Sequence, residues 1–312
     1  LIQSSKPENN RIMQKLDIHN RELVQFVNAA ELIAGNEGLI PRRFPQADMD
    51  AFGVGMGRIA AFSTAVELQL HGRINELRVQ LYVRDNDSYG IFAECFRGPG
   101  KLLPTFRLDP ESTAVQTLHV RADGNTDYHW PLRLILPTHC TVEIIAVEVD
   151  AAAELQVGQP AFSYNQLQRA KPLTWVAHGD SIVQGANITC PSSSWVNLAA
   201  LTLGVHAVNL GIGGFGTAEA AVAAYLARRQ DMDLLSLNLG VNAVGNYSES
   251  EFGARFGEFM APIRAAQPLL PIVVVSPIWS FRDNKSDGKN AQDIRDAMQN
   301  VCQQYIGDGD AN

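Results

Sequence analysis

Leu173-Thr174-Trp175-Val176-Ala177-His178-Gly179-Asp180-Ser181-Ile182 is the stretch on which the fold turns. The apolar run Leu173 to Ala177 reads as a buried strand, and the Gly-Asp-Ser at its carboxyl end reads as a tight turn, with Gly179 giving the freedom to present the serine hydroxyl. In an open α/β sheet, ligands bind outside the carboxyl ends of the strands, so Ser181 stands where a substrate would dock. On its own the tripeptide is also ordinary helix-capping vocabulary. Its neighbours supply the context. Downstream of Pro172, apolar runs alternate with helical stretches: a helix over Trp195 to Leu203, a strand over Val205 to Leu210, an Ala-rich helix over Thr217 to Gln230 and a strand over Leu234 to Leu239. A capping box, Ser248 with Glu251, opens a helix to about Gln267; a strand over Ile272 to Val275 and a helix over Asn290 to Tyr305 follow. This is the sequence form of βα units around a parallel sheet, an α/β fold.

Upstream the period changes to two. Val66, Leu68 and Leu70 alternate with Glu67, Gln69 and His71, and Leu77, Val79, Leu81 and Val83 alternate with Arg78, Gln80, Tyr82 and Arg84. Asp85-Asn86-Asp87, Arg97-Gly98-Pro99-Gly100 and Asp123-Gly124 are turn signals between such strands. A closing strand, Val142 to Val149, has adjacent Ile144 and Ile145, which predicts a bulge or burial on both faces. Short strands with no strong helix between them predict an antiparallel β-sandwich, ended by a hinge near Gln166 to Pro172. The expected domains are therefore 1–168 and 169–312.

The composition agrees with two globular domains: 312 residues, 46% hydrophobic and 19% charged. A formal charge of -8 gives no positive field for a phosphate backbone, so nucleic acid is not an expected partner. The longest apolar stretches, such as Leu269 to Trp279, fall short of the ~20 residues a membrane span needs. The opening Leu1 and the polar run Gln3 to Asn10 show no signal-peptide pattern, and the compartment stays open. Cys95, Cys140, Cys190 and Cys302 are far apart and form no CxxC, so neither zinc nor a dense disulfide framework is expected.

Two further strand ends carry polar groups suited to Ser181. The second strand runs into Asn209-Leu210-Gly211-Ile212-Gly213-Gly214 and the third into Leu239-Gly240-Val241-Asn242. A serine attacking an ester carbonyl needs donors for the oxyanion it creates. Adjacent strand ends can supply the Ser181 N–H, the Gly214 N–H and the Asn242 side-chain amide. The stretch Gly211 to Gly216 is also a formal GxGxxG. A dinucleotide site would want an acid at the carboxyl end of the following strand, whereas Asp231 and Asp233 lie at its start and Asn238 and Asn242 at its far end. His178 is expected to pack or hydrogen-bond locally. Tyr89, Phe92, Phe96, Phe106, Tyr128 and Trp130 are expected mostly in sandwich packing rather than stacked on sugars.

With Gly179-Asp180-Ser181, then Asn209, Gly211 and Gly214, then Gly240-Val241-Asn242, the second half resembles the SGNH (GDSL) hydrolase family, whose successive blocks supply Ser, Gly, Asn and His. Ala243 departs from that family's GxND. The resemblance implies a flavodoxin-like three-layer domain and ester hydrolysis or acyl transfer through an acyl-serine, on a small-molecule or carbohydrate ester, with no metal or organic cofactor. The first half resembles, more weakly, the jelly-roll-like β-sandwich ahead of this domain in some acetyl-sugar esterases and natural-product acyltransferases. A non-catalytic carbohydrate-binding protein is the alternative outside enzymes. In the family, the base and its acid come from a DxxH block after a fifth strand. Only His206 follows Ser181 here, and Asp308-Gly309-Asp310 is not followed by His, so the natural protein is expected to continue by a few tens of residues.

Overall fold

A computed structural model describes residues 12–87, 91–122, 128–168, 172–280, 283 and 290–310. In chain order the first half carries β1 (Met13–Lys15), β2 (Gln25–Val27), β3 (Glu31–Ala34), β4 (Leu39–Arg42), helices α1 (Gln46–Phe52) and α2 (Val54–Ala60), and β5 (Glu67–Leu70). There follow β6 (Gly72–Arg73), β7 (Glu76–Asn86), β8 (Ile91–Arg97), β9 (Lys101–Leu108), β10 (Gln116–Arg121), β11 (Leu132–Ile135), β12 (Cys140–Asp150) and β13 (Glu154–Leu155). One antiparallel sheet is ordered β10-β7-β12-β4-β3, with β1 on β12; the other is ordered β2-β5-β11-β8-β9. Leu68, Leu70, Leu77, Val79, Leu134 and Val147 fill the core between them. The alternation in β7 buries Leu77, Val79, Leu81 and Val83 as predicted. The irregularity expected at Ile145 is present, as a register shift between Ile144 and Ala146 in the pairing of β12 with β7. Gly98 to Gly100 turn between β8 and β9. Asp123-Gly124, Tyr89 and the middle of the Gln166 to Pro172 hinge lie outside the described residues.

After a short helix α3 (Asn165–Gln168), the second half carries β14 (Thr174–Gly179), α4 (Ser181–Gln184), α5 (Trp195–Leu203), β15 (His206–Gly211), α6 (Ala220–Arg228), β16 (Leu234–Asn238), α7 (Glu249–Ala266), β17 (Ile272–Val275) and α8 (Ala291–Gly307). Its sheet is parallel, ordered β15-β14-β16-β17, so all four carboxyl ends share one edge. On one face Val176, Leu210, Leu235 and Leu237 pack against α6, α7 and α8; on the other Trp175 and Ala177 meet Phe162, Tyr164 and α5. These are the three layers of the flavodoxin-like arrangement. The helix expected from Thr217 starts only at Ala220. Ala218 takes φ +62° and the Glu219 carboxylate accepts from both the N–H and the hydroxyl of Thr217, which holds those residues in a turn.

Two features of the first half depart from a free-standing sandwich. Glu67 and Gln69, expected to face water, are buried. Glu67 pairs with Arg133, and Gln69 exchanges hydrogen bonds with the Phe162 backbone, because β5 lies under the segment that leads into the second half. Helices α1 and α2 interrupt the strands, and their Met49, Phe52, Met56 and Ala60, with Phe44, belong to the same apolar core as α6 and α7. The two halves thus share a core rather than a bare linker.

Among the described residues no helix is long and apolar enough to cross a membrane, and no group of three His, Cys, Asp or Glu could hold a metal ion. All four cysteines are free thiols. Of the aromatics considered for sugar stacking, Phe96 is buried, Tyr128 donates to Asn75 Oδ1 at 2.9 Å, and Trp130 meets Phe162 edge-on at 5.5 Å.

Candidate active site

Gly179 ends β14 where a Cβ would lie 2.4 Å from the Asn238 carbonyl oxygen, so only glycine lets the chain leave the sheet beside β16. Asp180 then caps α4, its Oδ1 accepting from the Ile182 N–H at 2.8 Å, and Ser181 becomes the first residue of that helix. Burial raises the Asp180 carboxyl above its ordinary range, against the lowering effect of the N–H groups of Ile182 and Val183. The helix stops after one turn at Gly185, φ +100°. Ser181 is half-buried, and Ile182 beside it is exposed.

The end of β15 is fitted closely around α4. Asn209 Nδ2 donates to the Val183 carbonyl at 2.7 Å while its Oδ1 accepts from the Gly211 N–H at 2.9 Å. A Cβ on Gly211 would lie 2.2 Å from the Gln184 nitrogen, and one on Gly213 would lie 3.6 Å from Ser181 Cβ. The Gly213 N–H donates to Gln184 Oε1 at 2.6 Å. Gly214 is exposed, has φ +81° and faces open space. Among the described residues neither the Ser181 N–H nor the Gly214 N–H makes a hydrogen bond within the protein.

The end of β16 joins the same turn. The Gly240 N–H donates to the Gly216 carbonyl at 2.9 Å, and Asn242 Nδ2 donates to the Phe215 carbonyl at 2.6 Å. Ser181, Gly214 and Asn242, expected together from sequence, therefore stand on three connected strand ends. Ala243, where the family pattern has an acid, is fully buried in the apolar core.

His178 is turned away from Ser181. Its ring stacks on Phe259 of α7 at 6.1 Å, its Nδ1 lies 2.9 Å from the Leu210 carbonyl, and burial lowers its pKa. His206 sits at the start of β15, the opposite edge of the sheet, also with a pKa lowered by burial. The bare face of Gly211 is occupied by the α4 backbone, which leaves no room there for a pyrophosphate, and the formal GxGxxG is a structural turn.

Sequence reasoning missed the residues that reach this turn from the first half. Arg43, fully buried, donates to the Asn209 and Gly211 carbonyls at 3.2 and 2.9 Å and to the Phe62 and Ile59 carbonyls at 2.8 and 3.2 Å. His139 Nε2 lies 3.0 Å from the Gly185 carbonyl. Thr64 and Thr138 meet the Gln184 side chain. The second of two adjacent arginines at the end of a strand, Arg43 carries no signal of a partner more than 160 residues away.

Comparison with known proteins bears on the fold. The salicylyl-acyltransferase SsfX3 from a tetracycline biosynthetic pathway superposes with a TM-score of 0.79 at 21% identity, over 96% of this chain and 83% of that one. A family two carbohydrate esterase from Cellvibrio japonicus gives 0.63 at 12% identity, over 95% and 86%. An acetyl xylan esterase from the rumen bacterium Butyrivibrio proteoclasticus gives 0.54 at 14%, over 96% and 88%. At such identities the likeness is one of fold, and it spans both halves. No curated protein sequence matches the chain. The family model of the GDSL-like lipase/acylhydrolases matches residues 177–311, which hold the Ser181, Gly214 and Asn242 strand ends. Residues 177–311 are thus similar to the GDSL-like lipase/acylhydrolase family.

Proposed function

We propose that the protein is a serine esterase that cleaves a small acyl ester, an acetylated sugar among the candidates, through an acyl-serine. Ser181 Oγ attacks the carbonyl carbon and gives its proton to a general base, the alcohol departs, and water then releases the acyl group. The base is the role that the family resemblance gives to an Asp-x-x-His block; His178 is committed to Leu210 and Phe259. The Ser181 N–H, the Gly214 N–H and the Asn242 amide receive the oxyanion, each worth about 10²- to 10³-fold in rate when pre-aimed. What supports this reading is that the Ser181 and Gly214 N–H groups, which make no hydrogen bond among the described residues, lie at adjacent strand ends of one sheet edge. In this reading residues 1–168 are the accessory sandwich and 169–312 the hydrolase unit, and no metal or organic cofactor takes part.

Acyl transfer by the same acyl-serine is the second reading, supported by the likeness to an acyltransferase of the same two-part fold. An activated fluorophosphonate should label the parent and not Ser181→Ala, and the variant should lose turnover of a short aryl ester while staying folded. Unchanged turnover in Ser181→Ala overturns the reading. Product analysis with added alcohols separates hydrolysis from transfer, and absence of labelling would favour a carbohydrate-binding role.

A further inference from the structure

The turn that presents the Gly214 N–H is not held by the hydrolase half alone. Its first carbonyl, that of Gly211, is gripped by Arg43, whose guanidinium also holds the Asn209 carbonyl and, on its own side, the Phe62 and Ile59 carbonyls. Its Gly213 N–H is taken by Gln184 Oε1 at 2.6 Å. Gln184 is buried, and its Nε2 faces the Thr64 hydroxyl at 3.4 Å and the Thr138 carbonyl at 3.5 Å, the latter two joined by a 2.7 Å bond from Thr64 Oγ1. Arg43, Thr64 and Thr138 all come from the sandwich half.

The chemistry of these contacts fixes their direction. Gly213 offers a donor, so Gln184 must turn its oxygen to it and its amide nitrogen to the sandwich, where it meets oxygen atoms. With the Gly213 N–H drawn inward to Gln184, the following N–H, that of Gly214, is left for the open side of the turn. Arg43 has only carbonyl partners and no carboxylate among the described residues, and burial lowers its pKa to about 9. A buried guanidinium without an ion-pair partner is a costly way to hold two halves together. It is understandable where the backbone it grips must be kept in place.

We propose that the sandwich is a working part of the oxyanion hole, with Gln184 and Arg43 as positioning residues that set the Gly211–Gly214 turn and so aim the Gly214 N–H. This rests on the esterase reading given above. Misplacing a donor by about 1 Å can cost on the order of 100-fold in rate, and an oxyanion donor acts on charge that appears only in the transition state. Loosening the clamp therefore lowers kcat and leaves KM nearly alone.

The test uses Gln184→Met, which removes the acceptor at similar volume, Thr64→Val, which removes the sandwich hydroxyl, their double variant, and Arg43→Lys. Steady-state kinetics on a short aryl ester, fluorophosphonate labelling rates and amide exchange at Gly213 are measured on the full chain. Gln184→Met should lower kcat and the labelling rate by about 10- to 100-fold, with KM within about threefold and faster exchange at Gly213. Thr64→Val should lower kcat less, and the double variant should be no slower than Gln184→Met, because Thr64 acts through Gln184. Arg43→Lys should lower kcat with the same KM signature. A folded Gln184→Met with kcat within twofold of the parent overturns the clamp, as does a Thr64→Val effect that adds in full to that of Gln184→Met. Should Gln184→Met not fold, Thr64→Val and Arg43→Lys decide: unaltered kcat in both overturns it. Ser181→Ala separates the two ideas, since turnover in that variant defeats the esterase reading itself, whereas a dead Ser181→Ala beside an unaffected Gln184→Met defeats the clamp alone.

Discussion

Asn242 Nδ2 donates to the Phe215 carbonyl, 2.6 Å away, and so ties the end of β16 to the turn that follows β15. The bond uses one of the two amide hydrogens and fixes the plane of the carboxamide, which leaves the second hydrogen with a set direction.

From that arrangement, Asn242→Ala should lower kcat by about 10²- to 10³-fold with little change in KM, because the donor acts on an oxyanion absent from the ground state. Steady-state kinetics across a range of ester concentrations measure both. A rise in KM alone would assign Asn242 to substrate binding.

Gly216 packs against the residue that caps the serine helix. It has φ +83°, and a Cβ there would lie 3.1 Å from both the Asp180 nitrogen and its Cβ. Gly216→Ala should therefore destabilise the fold by about 1–2 kcal/mol from the left-handed backbone alone, with the crowding added. Turnover should fall with stability, since any relief pushes Asp180 and the start of α4 away from the turn. Urea denaturation gives the first quantity, and a midpoint equal to the parent's would contradict the argument.

How much of this was legible in the sequence depends on how far away the partners lie. The helix over Trp195–Leu203 is legible to the residue because its signals are local: Ser194 caps it and Gly204, φ +61°, ends it. The capping box at Ser248 and Glu251, and the strand Ile272–Val275, were legible for the same reason. Ser181, Gly214 and Asn242 can be proposed from sequence because each follows an apolar run. Helices α1 and α2 are not legible in the sequence. Gly53, Gly55 and Gly57 obscure the helical spacing of Met49, Phe52 and Met56, and the core that stabilises them is built from α6 and α7, far along the chain. The burial of Glu67 and Gln69 and the grip of Arg43 were hidden likewise, since a polar residue in a strand reads as solvent-facing until its partner is known.

His178 offers a check on the identity of the general base. Its Nδ1 lies on the Leu210 carbonyl and burial lowers its pKa, so it is held neutral in the fold. A depressed histidine pKa contributes stability above the unfolded value near 6.5 that is lost as pH falls below it, because the unfolded chain then binds the proton more readily. His178→Gln should retain ester turnover and show a shallower loss of stability between about pH 7 and pH 5 than the parent. Loss of turnover in a folded His178→Gln would instead make His178 the leading candidate for the base.

Asp180 should behave in the opposite sense. Burial raises its pKa above the ordinary carboxylate value even though its oxygen caps α4. When the folded pKa lies above the unfolded one, the folded state binds the proton more tightly. Stability from this group is then present below the unfolded value near 4 and is lost as pH rises through the raised folded value. Above the raised folded value the carboxylate is ionised in both states, and the cost of its burial is fully felt. Asn caps helices about as well as Asp and carries no charge, so Asp180→Asn should keep the α4 turn while removing that cost. The expected result is a variant more stable than the parent at pH 7, with a gap that narrows steadily toward pH 4. Urea denaturation of both proteins at pH 7, 5.5 and 4 measures the gap directly, and other titrating groups cancel in the difference. A gap that stays constant, or widens as pH falls, would show that the cap's bonds to the Ile182 and Val183 N–H groups outweigh the burial of the charge.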